Sequence, residues 1–266
     1  MKTISLVFEY DMEKQKRSGR VWSKTVYRSK DFVFEYSAAS FASFLYKNPN
    51  RIHIVDTDDV DLLYSKIKKY DVNYNNLDIR ESSGLISEWK SREYCFFPLL
   101  EHIRYHAKES EESIVKLDND LTCLKNIDDL ENFSGILSWK FERNVKDGRP
   151  YWGEKYVCNK ALGTDNFNEY NTGVLGISHD NLHIVDEFIE TTKSLISIDA
   201  SDVIIVKSHP GIKVKTYSTS DQTAVNWVFH KNKLNVRETH AYFFHHCYAI
   251  DAKFNCIEES KKYLKR

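Results

Sequence analysis

"SIVKLDNDLTCL", residues 113–124, runs a short apolar strand straight into two aspartates, Asp118 and Asp120, one residue apart. Apolar residues resume at once in "LTCL", so expected core brackets the acids on both sides. Two carboxylates held close in a partly dry place repel, and each raises the other's pKa. A hard divalent cation relieves that repulsion, and oxygen ligands suit Mn²⁺ or Mg²⁺. The competing reading is a solvated turn after an edge strand, and spacing alone does not decide between them.

The flanking pattern gives the context. "TISLVFEY" reads as a first strand, "DFVFEYSAASFASFLYKNPN" as an apolar helix stopped at Asn48-Pro49-Asn50, and "RIHIVDTDD" as a second strand. Leu62, Leu63, Ile67 and Tyr70 then recur at helical spacing. "SREYCFFPLLEHIRYHAKES" predicts a helix entered or kinked at Pro98, leading into the strand "SIVKL". Downstream, "GILSWKFE", "NTGVLGIS" and "DVIIVK" are strand candidates, while "NLHIVDEFIETTKSLI" and "SDQTAVNWVFHKN" have helical character. Strands alternating with helices predict an α/β sandwich with a largely parallel sheet. Such sheets bind ligands beyond the carboxyl ends of their strands, where Asp118 and Asp120 fall.

A second acidic cluster, Asp56-Thr57-Asp58 and Asp59-Val60-Asp61, also follows a strand. It is no EF-hand loop, because Val60 and Asp61 stand where a third acidic ligand and a glycine are needed. A strand-end turn followed by acids at a helix N-terminus, favoured by the helix dipole, explains it better.

Composition narrows the class. The 266 residues carry a formal net charge of -1, which argues against a nucleic-acid footprint. Cys95, Cys123, Cys158, Cys247 and Cys256 show no paired spacing, so reduced thiols in a cytoplasmic protein are expected. The apolar start is shorter than a secretory leader requires, and no run reaches the roughly 20 residues of a membrane span. Aromatic residues are plentiful, which suits a ring-rich core first and a carbohydrate surface second. The terminal "IEESKKYLKR" predicts a solvated basic helix, with a weak peripheral dock to anionic lipid as the alternative.

Three further segments follow in order: "YNTGVLGIS" (170–178), "SDQTAVNWVF" (220–229) and "FFHHCYAID" (243–251). Each has a plain structural explanation. Asn and Gly favour tight turns, Ser220 or Asp221 suits a helix N-cap, and a histidine among aromatics is ordinary core. Taken in order with "VKLDND" and the helix before it, the set resembles the GT-A glycosyltransferases. It is most similar to the retaining bacterial enzymes of glycosyltransferase families 8 and 32, which build lipooligosaccharide and capsule chains. The resemblance runs from the helix near Tyr94 through the segment after His246. It departs where the family carries Lys-Pro-Trp or Ser-Trp and this chain has "AIDAKFN".

What the resemblance implies is specific. The fold would be a GT-A (Rossmann-like) α/β/α sandwich with a mixed, mostly parallel sheet. One domain would span 1–266, with a nucleotide-binding half (1–120) and a donor-sugar and acceptor half (121–266). Asp118 would approach the ribose and the metal, and Asp120 would grip the metal that bridges the diphosphate. A late histidine completes the ligands. His245 directly follows Phe243 and Phe244 and is the first choice, His246 is next, and His240 competes. An imidazole favours Mn²⁺ over Mg²⁺. Lys253 would reach the phosphates, and Phe8, Tyr10 and Asp56 would lie near the base. Asn171 would contact a sugar, with Gly173 letting the backbone approach it. Asp221 would bind donor-sugar hydroxyls, and Gln222 would sit near the β face of the anomeric carbon.

The implied reaction moves a hexose from a UDP-hexose to a saccharide acceptor, lipid-linked chains included, with retention, in bacterial surface polysaccharide synthesis. The implied location is the cytoplasm, peripheral at the inner face of the membrane if the basic terminus docks. Two rivals come from other classes. A metal-dependent nucleotidyl- or phosphotransferase would use the acidic pair but leave "NTG" and "DQ" unexplained. A non-catalytic glycan-binding protein would use the aromatic surface and ignore nucleotide and metal.

Overall fold

Burial along the strands sets the layers. In the first strand, β1 (Lys2–Val7), Ile4 and Val7 are both fully buried yet belong to different apolar clusters. The same split separates Ile54 from Val55 in β2 (His53–Thr57). Side chains alternate across a strand, so both faces of the sheet are covered, as a parallel sheet requires. The computed structural model describes residues 1–9, 30–91, 97–108, 110–140, 170–197, 204–205, 213–214 and 220–245.

One cover is α1 (Lys30–Lys47), whose residues are almost all buried from Val33 to Leu45. A helix buried nearly all round has little amphipathic signal. Its small residues, Ser37 to Ser40 and Ala42 to Ser43, let it lie close on the sheet, and their hydroxyls are satisfied locally. Ser37 Oγ donates to Val33 O at 2.7 Å and Ser43 Oγ to Ser40 O at 2.7 Å. Asn48 ends the helix: its amide donates to Phe44 O, while its oxygen accepts from Ile127 N–H at 3.0 Å. Phe34 and Phe41 pack with Leu63 and Ile67 of α2 (Val60–Ile67). Burying each such ring contributes about 1.5–3 kcal/mol. Asp59 caps α2 by accepting from Leu62 N–H at 2.9 Å, so this acid of the second cluster does what helix-start chemistry predicts.

Next come β3 (Leu77–Glu81), α3 (Ser83–Ser91), α4 (Phe97–Lys108) and β4 (Ile114–Leu117). Pro98 sits in the first turn of α4, where its missing N–H is harmless. The chain continues through β5 (Leu121–Cys123), β6 (Ile136–Lys140), β7 (Tyr170–Ile177) and α5 (Ile184–Ser197). Short β8 (Ile204–Ile205) and β9 (Lys213–Val214) pair with each other. Then α6 (Ser220–Lys231) precedes β10 (Val236–Glu238) and β11 (Phe243–His245).

Among the described residues the main sheet has seven strands in the order β10-β6-β7-β4-β1-β2-β3. Only β7 runs against its neighbours, so the sheet is mixed and mostly parallel, as expected. It is the α/β sandwich the sequence indicated, and it takes strands from both halves of the chain. β4 is flanked by β1 and β7, so the competing reading of a turn after an edge strand loses its premise. Helices α4, α5 and α6 cover the face carrying Ile4, Ile54 and Ile114, through Ile103, Phe188 and Val228 among others. Gly135 opens β6 at φ 83°, and a Cβ there would lie 2.4 Å from Asn235 O, so glycine is needed on both counts.

His53 of β2 is fully buried between the rings of Phe41 and Phe44, at centroid distances of 5.3 and 4.9 Å. Burial, with a smaller contribution from His102, pulls it down to about 3 from an ordinary 6.5. The unfolded chain therefore takes up a proton below 6.5 that the native state refuses. Stability from this group is fully present above that pH and is lost as pH falls toward 3, by about 1.4 kcal/mol per pH unit. Denaturant titrations at pH 7, 6 and 5 should show a loss that steepens toward that slope below pH 6, and His53→Leu should remove about this much of it. Equal slopes in the two proteins would mean that His53 does not titrate between the states.

Candidate metal and nucleotide site

β4 ends in the middle of the sheet, and Asp118 is the first residue past it. Its N–H donates to Gly173 O of β7 at 2.7 Å, so the neighbouring strand guides the chain beyond the sheet edge. Tyr36 of α1 donates to Asn119 Oδ1 at 3.3 Å. The chain turns through Asn119 and Asp120 and re-enters the core as β5, whose three residues are all buried. Cys123 N–H donates to Ser43 Oγ of α1 at 3.0 Å. Helix α1 thus holds both ends of this turn.

β5 pairs antiparallel with β11, setting Leu121 opposite His245. Tyr242, just before β11, donates from its hydroxyl to Asp129 Oδ2 at 2.6 Å. Alternation within β11 buries Phe243 and His245 and leaves Phe244 exposed. The His245 ring therefore turns inward, with Nε2 3.0 Å from Asp120 Oδ1 and 3.7 Å from Asp118 Oδ2. One ligand atom from each of the three residues lies within 4.8 Å of the others. His240 stays outside this group, half exposed and 3.4 Å from Glu238. Of the competing histidines, His245 is the one brought to the aspartates; His246 lies outside the described residues.

Gly173 makes room for that ring. A Cβ there would lie 2.4 Å from His245 Cε1 and 2.7 Å from both His245 Nδ1 and Asn171 Oδ1. Asn171 Oδ1 accepts from Gly173 N–H at 2.6 Å, opposite a β-bulge between Ser138 and Trp139. This side chain, expected at a sugar, here fixes the strand that carries Gly173. Asn226 joins α6 to the start of β7 by two bonds of 2.8 Å with the backbone N–H and carbonyl of Tyr170. Asp221 and Gln222 fall in the first turn of α6, and their side chains lie outside the described part.

Lys116 supplies the local positive charge. It is buried in β4, pairs with Asp118 Oδ1, and donates to Thr172 O at 2.9 Å. Burial pushes the Asp118 carboxyl above its usual range, opposed by Lys116, reinforced by Asp120 and opposed again by His245. Two half-buried carboxylates and one imidazole suit a Mn²⁺-class cation, and the ligand atoms already converge without rearranging the backbone. Lys116 and Asn226 were not picked out from the sequence. The visible signal for Lys116 was a charge inside the otherwise apolar "SIVKL"; Asn226 had none beyond its place in a helix.

The residues expected around the base divide differently. Phe8 is buried against Leu6 and Ile86. Asp56 is buried too, its Oδ1 accepting from Ser82 at 2.6 Å and its Oδ2 facing His102 and His106. Burial pulls His102 down to about 4. Neither Phe8 nor Asp56 joins the Asp118 cluster. Tyr10 and Lys253 lie outside the described residues, as does the basic C-terminus. No helix among the described residues is long and apolar enough to cross a membrane.

The sequence matches no protein-family model and no curated protein. In three dimensions it is similar to galactosyltransferase LgtC in complex with donor and acceptor sugar analogs, at TM-score 0.55 and 10% identity, over 100% of this chain and 95% of that one. It is also similar to mouse xyloside xylosyltransferase 1, at TM-score 0.52 and 10% identity, over 90% of this chain and 84% of that one. A third likeness, to the bifunctional glycosyltransferase WbbM, has TM-score 0.51 and 9% identity, over 99% of this chain and 44% of that one. The chain has the α/β fold of the GT-A glycosyltransferases.

Proposed function

We propose that the chain is a metal-dependent glycosyltransferase that moves a hexose from a nucleotide-sugar, UDP-hexose as first choice, to a saccharide acceptor. The observation that carries this reading is the meeting of Asp118, Asp120 and His245 beyond the end of a central strand of a GT-A sheet. His245 is 125 residues from Asp120 in sequence, and a core-forming histidine would not need two carboxylates beside it. A divalent cation held by these three side chains would offset the charge of a nucleoside diphosphate leaving group. Lys116 favours the charged form of Asp118 and holds it in place, and Gly173 leaves room for the His245 ring. Asp221 and Gln222, in the first turn of α6, are assigned to the donor sugar. Retention of anomeric configuration, a lipid-linked acceptor, surface polysaccharide synthesis and a cytoplasmic location with weak membrane contact belong to the same proposal.

The test is a thermal-shift screen with UDP, GDP, CMP and UDP-hexoses, each with Mn²⁺ and with EDTA, on wild type and Asp120→Asn. A ligand at 100 times its Kd stabilises the native state by about 2.7 kcal/mol. Mn²⁺-dependent stabilisation by UDP, lost in the variant, is the expected result. A reaction that releases pyrophosphate in place of UDP would point to nucleotidyl transfer. Stabilisation by glycan alone, indifferent to EDTA, would point to a binding protein.

A further inference from the structure

A second convergence of metal-binding atoms lies on the face of the sheet covered by α4. His102 and His106 are four residues apart on α4, so both project from one side of the helix. Each points Nε2 at the same oxygen, Asp56 Oδ2, at 2.9 and 2.7 Å. Their rings meet edge to face at 4.8 Å. All three residues are closed off from solvent, with exposures of 2%, 0% and 1% for Asp56, His102 and His106. Ser82 holds the other carboxylate oxygen at 2.6 Å, which fixes the orientation of the group.

The charge balance makes this arrangement unusual. Among the described residues no lysine or arginine pairs with Asp56; Arg80 on the adjacent strand is bonded to Asp78 instead. With two neutral imidazoles, the hydrogen-bonded carboxylate would still hold an unneutralised charge in a closed interior, at a cost of several kcal/mol. Either a proton on one imidazole or a cation shared by all three groups removes that cost. The spacing suits a cation: ligand atoms about 2.0–2.2 Å from a tetrahedral zinc lie roughly 3.3–3.5 Å apart. The observed distances need to open by only about half an ångström or so. The donor set, two imidazoles and one carboxylate, is that of zinc-class ions, unlike the two carboxylates and one imidazole of the Asp118 cluster.

We infer that Asp56, His102 and His106 form a buried site for a zinc-class divalent cation, distinct from the Asp118 cluster, that fastens α4 to the end of β2. Asp56 is level with Leu6 of β1 in the sheet register, so the ion would brace the strand next to β4 from the side. The role is structural, and it stands independently of the proposed transferase activity.

The experiment uses the full chain carrying Asp120→Asn, which disables the Asp118 cluster. After dialysis against metal-free buffer, elemental analysis should find about one equivalent of zinc. Replacement by Co²⁺ should give the visible absorption of an ion bound by nitrogen and oxygen ligands. Adding His106→Gln should weaken Co²⁺ binding at least about 100-fold. Asp56→Asn, which keeps the shape and the Ser82 contact, should do the same and covers the case in which the histidine variant does not fold. A parent protein that takes up neither zinc nor Co²⁺, or an Asp56→Asn protein that binds as the parent does, overturns the site and leaves a protonated hydrogen-bond network.

Discussion

Asp120→Asn is expected to lower Mn²⁺-dependent sugar transfer by about three orders of magnitude, ~4 kcal/mol of transition-state stabilisation, while leaving the protein folded. The asparagine keeps an oxygen where Asp120 Oδ1 meets His245 Nε2, so the packing around the 3.0 Å contact survives. What disappears is one of two negative charges that a divalent cation needs. The same charge pushes the neighbouring Asp118 carboxyl upward, so its removal also relieves repulsion in the metal-free protein. Apo stability should therefore change by less than about 1 kcal/mol, in either direction. Functional sites hold destabilising groups together, and this opposition between stability and activity is their signature. The measurement pairs a UDP-release assay with urea denaturation in EDTA. Full activity in the variant, or a loss of activity matched by a comparable loss of folding stability, would return Asp120 to an ordinary turn.

The layers of the fold were legible because they rest on local pattern. Val33 to Leu45 is too apolar to be anything but a buried segment, and Asn48-Pro49 stops it. "SIVKL" and "NTGVLGIS" are apolar enough to be central strands, and they pair with each other. β3, α3 and β5 went unseen for different reasons. The strand Leu77–Glu81 is mostly polar because it closes the sheet, and α3 is short. β5 has three residues, too few for any periodicity, and its partner β11 lies over a hundred residues away.

That unseen pairing is what builds the candidate site. The aspartates could be found from their setting and His245 from the motif order, but the contact between them depends on β5 and β11 sharing a register. Asp56 shows the opposite case. The sequence placed it at a strand end, where it is, but could not show that its carboxylate faces two histidines from a helix more than forty residues later. Helical spacing makes His102 and His106 neighbours; only the packing of α4 against β2 supplies the third group.

Gly173→Ala is the second large effect expected, and it tests that register directly. The added methyl would lie 2.4 Å from His245 Cε1, well inside any tolerable contact, so something must move. φ is not the issue, since Gly173 lies in extended backbone; the demand is for space. If the ring swings away, Asp118 and Asp120 lose their third ligand, and Mn²⁺ affinity should fall at least tenfold. If the strands separate instead, the 2.7 Å bond from Asp118 N–H to Gly173 O is strained, and stability should fall by about 1–3 kcal/mol. A double-mutant cycle with His245→Ala distinguishes the two contacts that the methyl makes. Removing the imidazole removes the main obstacle, so Gly173→Ala should cost much less stability in the His245→Ala background than in wild type. The residual penalty would then come from Asn171 Oδ1, 2.7 Å from the new methyl. Isothermal titration with Mn²⁺ and urea denaturation on the four proteins supply the numbers. Wild-type Mn²⁺ affinity in Gly173→Ala, or equal penalties in both backgrounds, would show that the His245 ring does not rest on this glycine.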